Sequence, residues 1–147
     1  MGYAVKGIKL GIKEERNMRI DIVAMFFVWF HMQFFGLTKG ETAIVVLVTF
    51  LVPAFELMNT AVERAVHKPD EDHWMPAGDA KDTAAGAVFI MSIAAVVVAG
   101  IIFLDMQGIA AVIRYYTSGV IQPLGLLAYI IVAYFFITID NYIKKDK

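Results

Sequence analysis

No cysteine occurs anywhere in the 147 residues, so neither a disulfide framework nor a thiolate metal site can hold this chain together. Charge is scarce as well: Asp, Glu, Lys and Arg supply 18% of the residues, against 59% hydrophobic. The chain lacks a Gly-x-x-x-x-Gly-Lys-Ser/Thr loop, a dinucleotide fingerprint and the protein-kinase signature set. Its three histidines, His31, His67 and His73, do not form a zincin pair. Soluble nucleotide-binding architectures are thereby excluded as far as motifs can exclude them. The N-terminus has no short apolar core followed by a small-residue cleavage site, so no signal peptide is expected.

What is present is apolar length. Mean hydropathy is +0.66, too high for an ordinary soluble domain, and the chain is too short for more than one domain. Crossing a hydrocarbon core of about 30 Å takes about 20 helical residues. Segments 43–62, 83–104 and 120–139 meet that length, and a fourth span is expected over about 20–37. Eleven of the thirteen basic residues fall before the first span, between the second and third, or after the fourth. An even number of spans then places both termini and the loop over 64–82 in the cytoplasm. The expected architecture is all-α: an interfacial helix over 3–19, the spans, and an external connector over 105–119.

Residues 3–19 alternate as an amphipathic helix should. Lys6, Lys9, Lys13 and Arg16 share an arc of about 80°, opposite Ile8, Leu10, Gly11 and Met18. Such a helix lies in the membrane interface with its lysines toward anionic headgroups. Glu15 does not fit: on that wheel it projects from the apolar arc, where a carboxylate must face protein or a cation.

Glu56 is a stronger anomaly, since it follows the unbroken apolar stretch 43–55. On a helix, Glu56, Asn59, Thr60 and Glu63 fall within roughly 100° of one another, with Thr49 beneath them. A carboxylate at bilayer depth costs at least about 2.5–3.5 kcal/mol, so a functional site is the default explanation. Glu63 stands about 10 Å above Glu56 by helical rise. With Glu15, Lys81 and Asp82 it forms a level of charge at the membrane face. Two carboxylates from separate helices beside a lysine would suit a divalent cation on phosphates, because Mg²⁺ usually takes one or two carboxylates plus substrate oxygens. A deeper carboxylate would then accept a proton from a lipid hydroxyl.

Plainer explanations stand beside these. Glu63, Lys81 or Asp82 taken alone reads more readily as an interfacial charge pair than as a functional group, and Asn59 and Thr60 read equally as interhelical glue. His31 and Gln33 read as packing or external-interface residues, and Trp29 with the phenylalanines around it as facing lipid or neighbouring helices. His73 and Trp74 either cover a nucleotide base or anchor the loop at the interface. A proton or ion pathway would explain the stripe from Thr49 to Glu63 but leaves Lys81, Asp82 and Glu15 without work.

Three blocks resemble the small integral-membrane lipid kinases, the prokaryotic diacylglycerol kinase and undecaprenol kinase family. They are Gly7-Ile8-Lys9 with Glu14-Glu15-Arg16-Asn17-Met18-Arg19, then Glu56-Leu57-Met58-Asn59-Thr60-Ala61-Val62-Glu63, then Ala80-Lys81-Asp82 with Ala84-Ala85-Gly86-Ala87-Val88. The resemblance covers residues 3–104, the kinase core 1–104, and implies an ATP- and Mg²⁺-dependent kinase acting on a lipid hydroxyl. By motif position Glu56 matches the general base and Asn59 its polar neighbour. Glu15 and Glu63 match the carboxylates that hold metal-nucleotide, and Lys81 and Asp82 the phosphate-side contacts. Tyr3 and Asp72-His73-Trp74 fall where the family touches nucleotide, and Arg19 with Glu56 at the lipid substrate.

The Glu14-Glu15 block looks like the undecaprenol-preferring branch, with diacylglycerol as the alternative acceptor. Further implied are a homotrimer and a multi-pass location in the bacterial inner membrane. The expected partners are ATP, a lipid alcohol and the bilayer, with no nucleic acid. Two departures stand out. His67 occupies a position where the family usually has aspartate, and residues 105–147 exceed the usual three-span core.

Overall fold

The computed structural model describes residues 2–66 and 75–143, and every regular element among them is helical. Helix α1 is Gly2–Glu14, α2 Arg16–His31, α3 Lys39–Val66, α4 Met75–Phe103, α5 Met106–Thr117 and α6 Ile121–Ile143, with a 3-10 turn at Met32–Phe34 after α2. Positions 67–74, including His67, Asp72, His73 and Trp74, lie outside the described residues.

Helices α3 and α4 pair most extensively; α2 packs on α3, and α6 packs on α2. Local chemistry sets the boundaries. Gly36, with φ of 58°, supplies the left-handed turn after the 3-10 segment. Thr38 and Glu41 then form a reciprocal capping box: the Glu41 amide donates to Thr38 Oγ1 at 3.2 Å, while the Thr38 amide donates to Glu41 Oε2 at 2.8 Å. Asp105 caps α5 by accepting from the Gly108 amide at 2.7 Å. Within α3, Pro53 deletes the rung that would reach the Thr49 carbonyl.

Two boundaries differ from expectation. The interfacial helix expected over 3–19 ends at Glu14, and Glu15 is extended, with φ −104° and ψ 117°. The cause is Arg19: its Nη1 donates to the Ile12 carbonyl at 2.9 Å and the Lys13 carbonyl at 3.0 Å. Those are among the carbonyls a helix end leaves unpaired, so the guanidinium stops α1. Arg16 and Met18 consequently belong to α2. Second, α4 starts at Met75, so Lys81 and Asp82 ride on the span's own helix rather than on the loop before it.

Among the described residues three helices are long and apolar enough to cross a membrane: Lys39–Val66, Ala77–Phe103 and Ile121–Ile139. The segment expected to span over about 20–37 is shorter, a 16-residue α-helix continued by three 3-10 residues. Together they reach about 30 Å, the thickness of the hydrocarbon core. The most apolar stretch of α4 has none of its residues buried, as suits a helix whose outer solvent is hydrocarbon. Polar ties replace a large core. Trp29 Nε1 donates to Thr49 Oγ1 at 3.0 Å, joining α2 to α3. We expect Trp29→Phe to lower stability by about 0.6 to 1.7 kcal/mol, the range of single hydrogen bonds between membrane helices. Reversible unfolding in mixed micelles measures it.

Candidate active site

The helix break is what builds the site. Glu15 occupies the N-cap position of α2, yet its side chain makes no cap hydrogen bond, and its amide returns to the Gly11 carbonyl at 2.9 Å. Its carboxylate is therefore not used up in stabilising its own helix. Gly11 is buried where α1 crosses α3, and a Cβ there would overlap the Leu57 side chain. That close approach sets the α1–α2 junction beside the next residue of α3, Glu56. Glu14, on the last turn of α1, accepts from Arg64 Nη2 at 2.7 Å and ties the junction to the top of α3.

Around Glu56 the charged groups converge. The Asn17 side chain, Glu15 and Glu63 all lie close enough to act on its charge. Asp21, one turn beyond Asn17 on α2, feels Glu56 from the membrane side. Lys81 on α4 approaches Glu63, Nζ to Oε1 3.7 Å. Thr60 turns its hydroxyl onto the Glu56 carbonyl at 3.0 Å, so this member of the polar stripe serves its own helix. Two acceptors in the neighbourhood, Asn59 Oδ1 and Asp21 Oδ2, are shut off from solvent without a hydrogen-bond partner among the described residues. Buried acceptors left this way are costly, which marks them as groups awaiting a donor.

The structure thus gathers Glu15, Glu56, Glu63 and Lys81 within one chain. Asp82 is exposed beside Lys81. Tyr3 is 93% exposed near the start of α1, about 16 Å along the axis from Glu14, and stays apart from the cluster. Arg19 is 1% exposed and held on backbone carbonyls. Asn17 and Asp21 belong to the site although sequence reasoning passed over them. Their i, i+4 spacing puts them on one face of α2, a signal hidden by extending the first helix to residue 19.

Among the described residues no three His, Asp or Glu side chains converge as a complete metal cage. Glu15 and Glu63 lie on either side of Glu56. Below the cluster a groove of about 300 Å³ runs between α2, α3 and α4, with Asp21 at its polar end and Met25, Val48, Ala95 and Phe103 along its walls. The arrangement is an acid cluster open to the headgroup region above an apolar slot.

Carboxylates and a lysine gathered at one end of a bundle with three membrane-length helices among the described residues are the setting of a membrane enzyme. The model of the family described as prokaryotic diacylglycerol kinase matches residues 2–103, and the chain belongs to that family. It is similar to the diacylglycerol kinase of Haemophilus influenzae, 32% identical over 102 residues that make up 69% of this chain and 86% of the relative. The diacylglycerol kinase of Synechocystis sp. is 35% identical over 103 residues, 69% of this chain and 59% of that longer protein. The protein is accordingly an ATP-dependent lipid kinase.

The geometry of the junction is open to a direct check. With no native cysteine in the way, Glu14→Cys/Arg64→Cys should cross-link intramolecularly with a bifunctional thiol reagent whose length matches the span of the Glu14–Arg64 ion pair. Adding Gly11→Leu, which forces α1 off Leu57, should suppress the cross-link and reduce phosphoryl transfer by at least about tenfold, since misplacing catalytic groups by 1 Å costs about 10²-fold.

Proposed function

We propose that the enzyme transfers the γ-phosphoryl group of MgATP to the free hydroxyl of diacylglycerol at the cytoplasmic face of the membrane. The observation that carries this is the convergence of Asn17, Glu15 and Glu63 on Glu56, about one helical turn beyond Val52 in the wall of the apolar groove. Acyl chains in the groove would bring a headgroup hydroxyl to the level of Asp21 and Glu56. Glu56 then accepts the proton of that hydroxyl as the oxygen attacks phosphorus, the general-base role. Asn17 orients the carboxylate, and Asn59 Oδ1 offers an acceptor to the incoming alcohol or to water.

Phosphoryl transfer rests mainly on positioning and on charge neutralisation. Glu15 and Glu63 would hold Mg²⁺, which when bound neutralises charge on the phosphate oxygens. Lys81, already paired with Glu63, is placed to exchange that partner for a phosphate, with Asp82 beside it. Diacylglycerol is preferred as acceptor because both relatives above carry that name. Undecaprenol is the second reading, favoured by the Glu14-Glu15-Arg16-Asn17 block, and its single hydroxyl and apolar tail would use the same groove.

Orientation follows from packing as well as charge. Arg19 near the start of α2 meets Ile137 near the end of α6, so the N-terminal segment and the C-terminal end of the chain lie on the acid cluster's side. With α2 counted as a crossing, the chain spans the membrane four times with cytoplasmic termini, as the basic residues favour. The uncovered face of α4 suits assembly with further copies, in keeping with the homotrimer that the family resemblance implies.

Radiolabel transfer from ATP into parallel diacylglycerol and C55-isoprenol micelles tests the assignment. A tenfold or greater preference for the isoprenol would replace the acceptor named here, and labelling of neither would refute the kinase mechanism. Glu56→Gln should abolish turnover while nucleotide affinity is nearly kept. Glu15→Gln and Glu63→Gln should instead weaken MgATP binding by about 10- to 100-fold. Equal losses of both properties in all three variants would contradict these separate roles.

A further inference from the structure

Helix α6 lies beyond the part of the chain that matches the kinase family, which ends at residue 103. It nevertheless reaches the site. Arg19 Nε donates to the Ile137 carbonyl at 3.3 Å while Nη1 of the same guanidinium holds the Ile12 and Lys13 carbonyls. One planar side chain therefore joins three helices: its own α2, the end of α1, and α6. Farther along, the Tyr129 hydroxyl donates to the Val23 carbonyl, and the Tyr129 ring lies 6.1 Å from that of Phe27. Position 137 opposes 19 and position 129 opposes 23, so α6 runs antiparallel to α2 and is fixed to it at two levels.

These ties differ from ordinary apolar packing. In a bilayer, apolar contact alone gives helices little reason to prefer one register, because lipid tails offer the same environment. A charged donor buried to 1% exposure has no such freedom, since leaving its acceptors would strand it. The fork of the guanidinium also has fixed geometry, so where Ile137 holds Nε constrains where Nη1 can hold α1. What Nη1 holds is the helix end two residues before Glu15.

We propose that α6 is a positioning element of the kinase site: through Arg19 it locks the α1–α2 break and thereby keeps Glu15 at the metal-nucleotide. Arg19 is on this account a positioning residue, buried away from the lipid substrate. The inference rests on the assignment of Glu15 to MgATP made above. It gives the C-terminal extension work within the reaction rather than only in anchoring.

The test leaves Arg19 and the catalytic groups untouched. Ala133 sits between Tyr129 and Ile137 on the same face of α6, at i+4 from one and i−4 from the other. In the full-length enzyme, Ala133→Trp should wedge α6 from α2. It should raise KM for MgATP by about tenfold, the cost usual for disturbing an outer-shell partner, with KM for the lipid unchanged. Amide exchange across residues 12–17, followed without nucleotide, should quicken in parallel. Phe135→Trp, which enlarges an exposed side chain on another face, should do neither. Tyr129→Phe provides a milder loosening with the same directions, in case the tryptophan variant does not fold.

Unchanged exchange over 12–17 in both α6 variants, or a loss of kcat with KM for MgATP intact, would overturn the proposal. Failure of the kinase assignment looks different: wild-type protein would label no lipid alcohol, while the exchange experiment would still report whether α6 controls the break.

Discussion

Everything in this molecule is arranged around keeping one carboxylate, that of Glu56, in polar company at a depth where water is scarce. Ionised carboxylates are tolerated there only beside donors and compensating charge. Asn17 is the amide side chain nearest to that role, and it comes close to Glu56 because α2 begins anew at residue 16. Glycine at position 11 lets α1 come down onto α3 at Leu57 and delivers the junction to the right level. Each of these features is a local choice of residue, and the like charge that Glu15 and Glu63 add beside Glu56 is what a bound cation would offset. An enzyme needs such a carboxylate where a lipid hydroxyl meets a nucleotide.

Charge out of place made much of this legible in the amino-acid sequence. Glu56 after an apolar run, with Asn59 and Glu63 at helical spacing, needs no tertiary information to be singled out. The apolar lengths of α3, α4 and α6 were equally plain, because the bilayer sets a length that sequence must meet. The break at Glu15 was hidden. It depends on Arg19 folding back onto carbonyls of the preceding helix, and a wheel drawn through 3–19 has no way to register a bond to the backbone. Asn17 and Asp21 disappeared with it. The early start of α4 escaped notice because Asp79-Ala80-Lys81-Asp82 reads as polar loop when only hydropathy is weighed, though nothing in it breaks a helix.

The far end of the bundle follows different rules. His31 bridges the Phe27 carbonyl at 2.7 Å and the Tyr116 hydroxyl at 2.9 Å, and its ring stacks 4.0 Å from Phe27. Phe30 and Phe34 meet Tyr115 edge-on or tilted at 5.9 and 5.0 Å. This aromatic cluster fastens α5 to α2 and so carries the chain from the kinase core into its C-terminal helix. The expectation for His31 was a packing or external-interface residue, and it packs with a hydrogen bond at each ring nitrogen.

One property of α4 has a mechanical side. From Met75 to Phe103 it is a single uninterrupted helix, so the ammonium of Lys81 and the methyl groups deep in the acyl region belong to one stiff rod. Membrane helices adapt to thicker or thinner bilayers chiefly by leaning. Any lean of this rod swings its Lys81 end through the same angle. The lipid composition around the protein is thereby coupled, with no moving joint, to where that lysine stands beside Glu63.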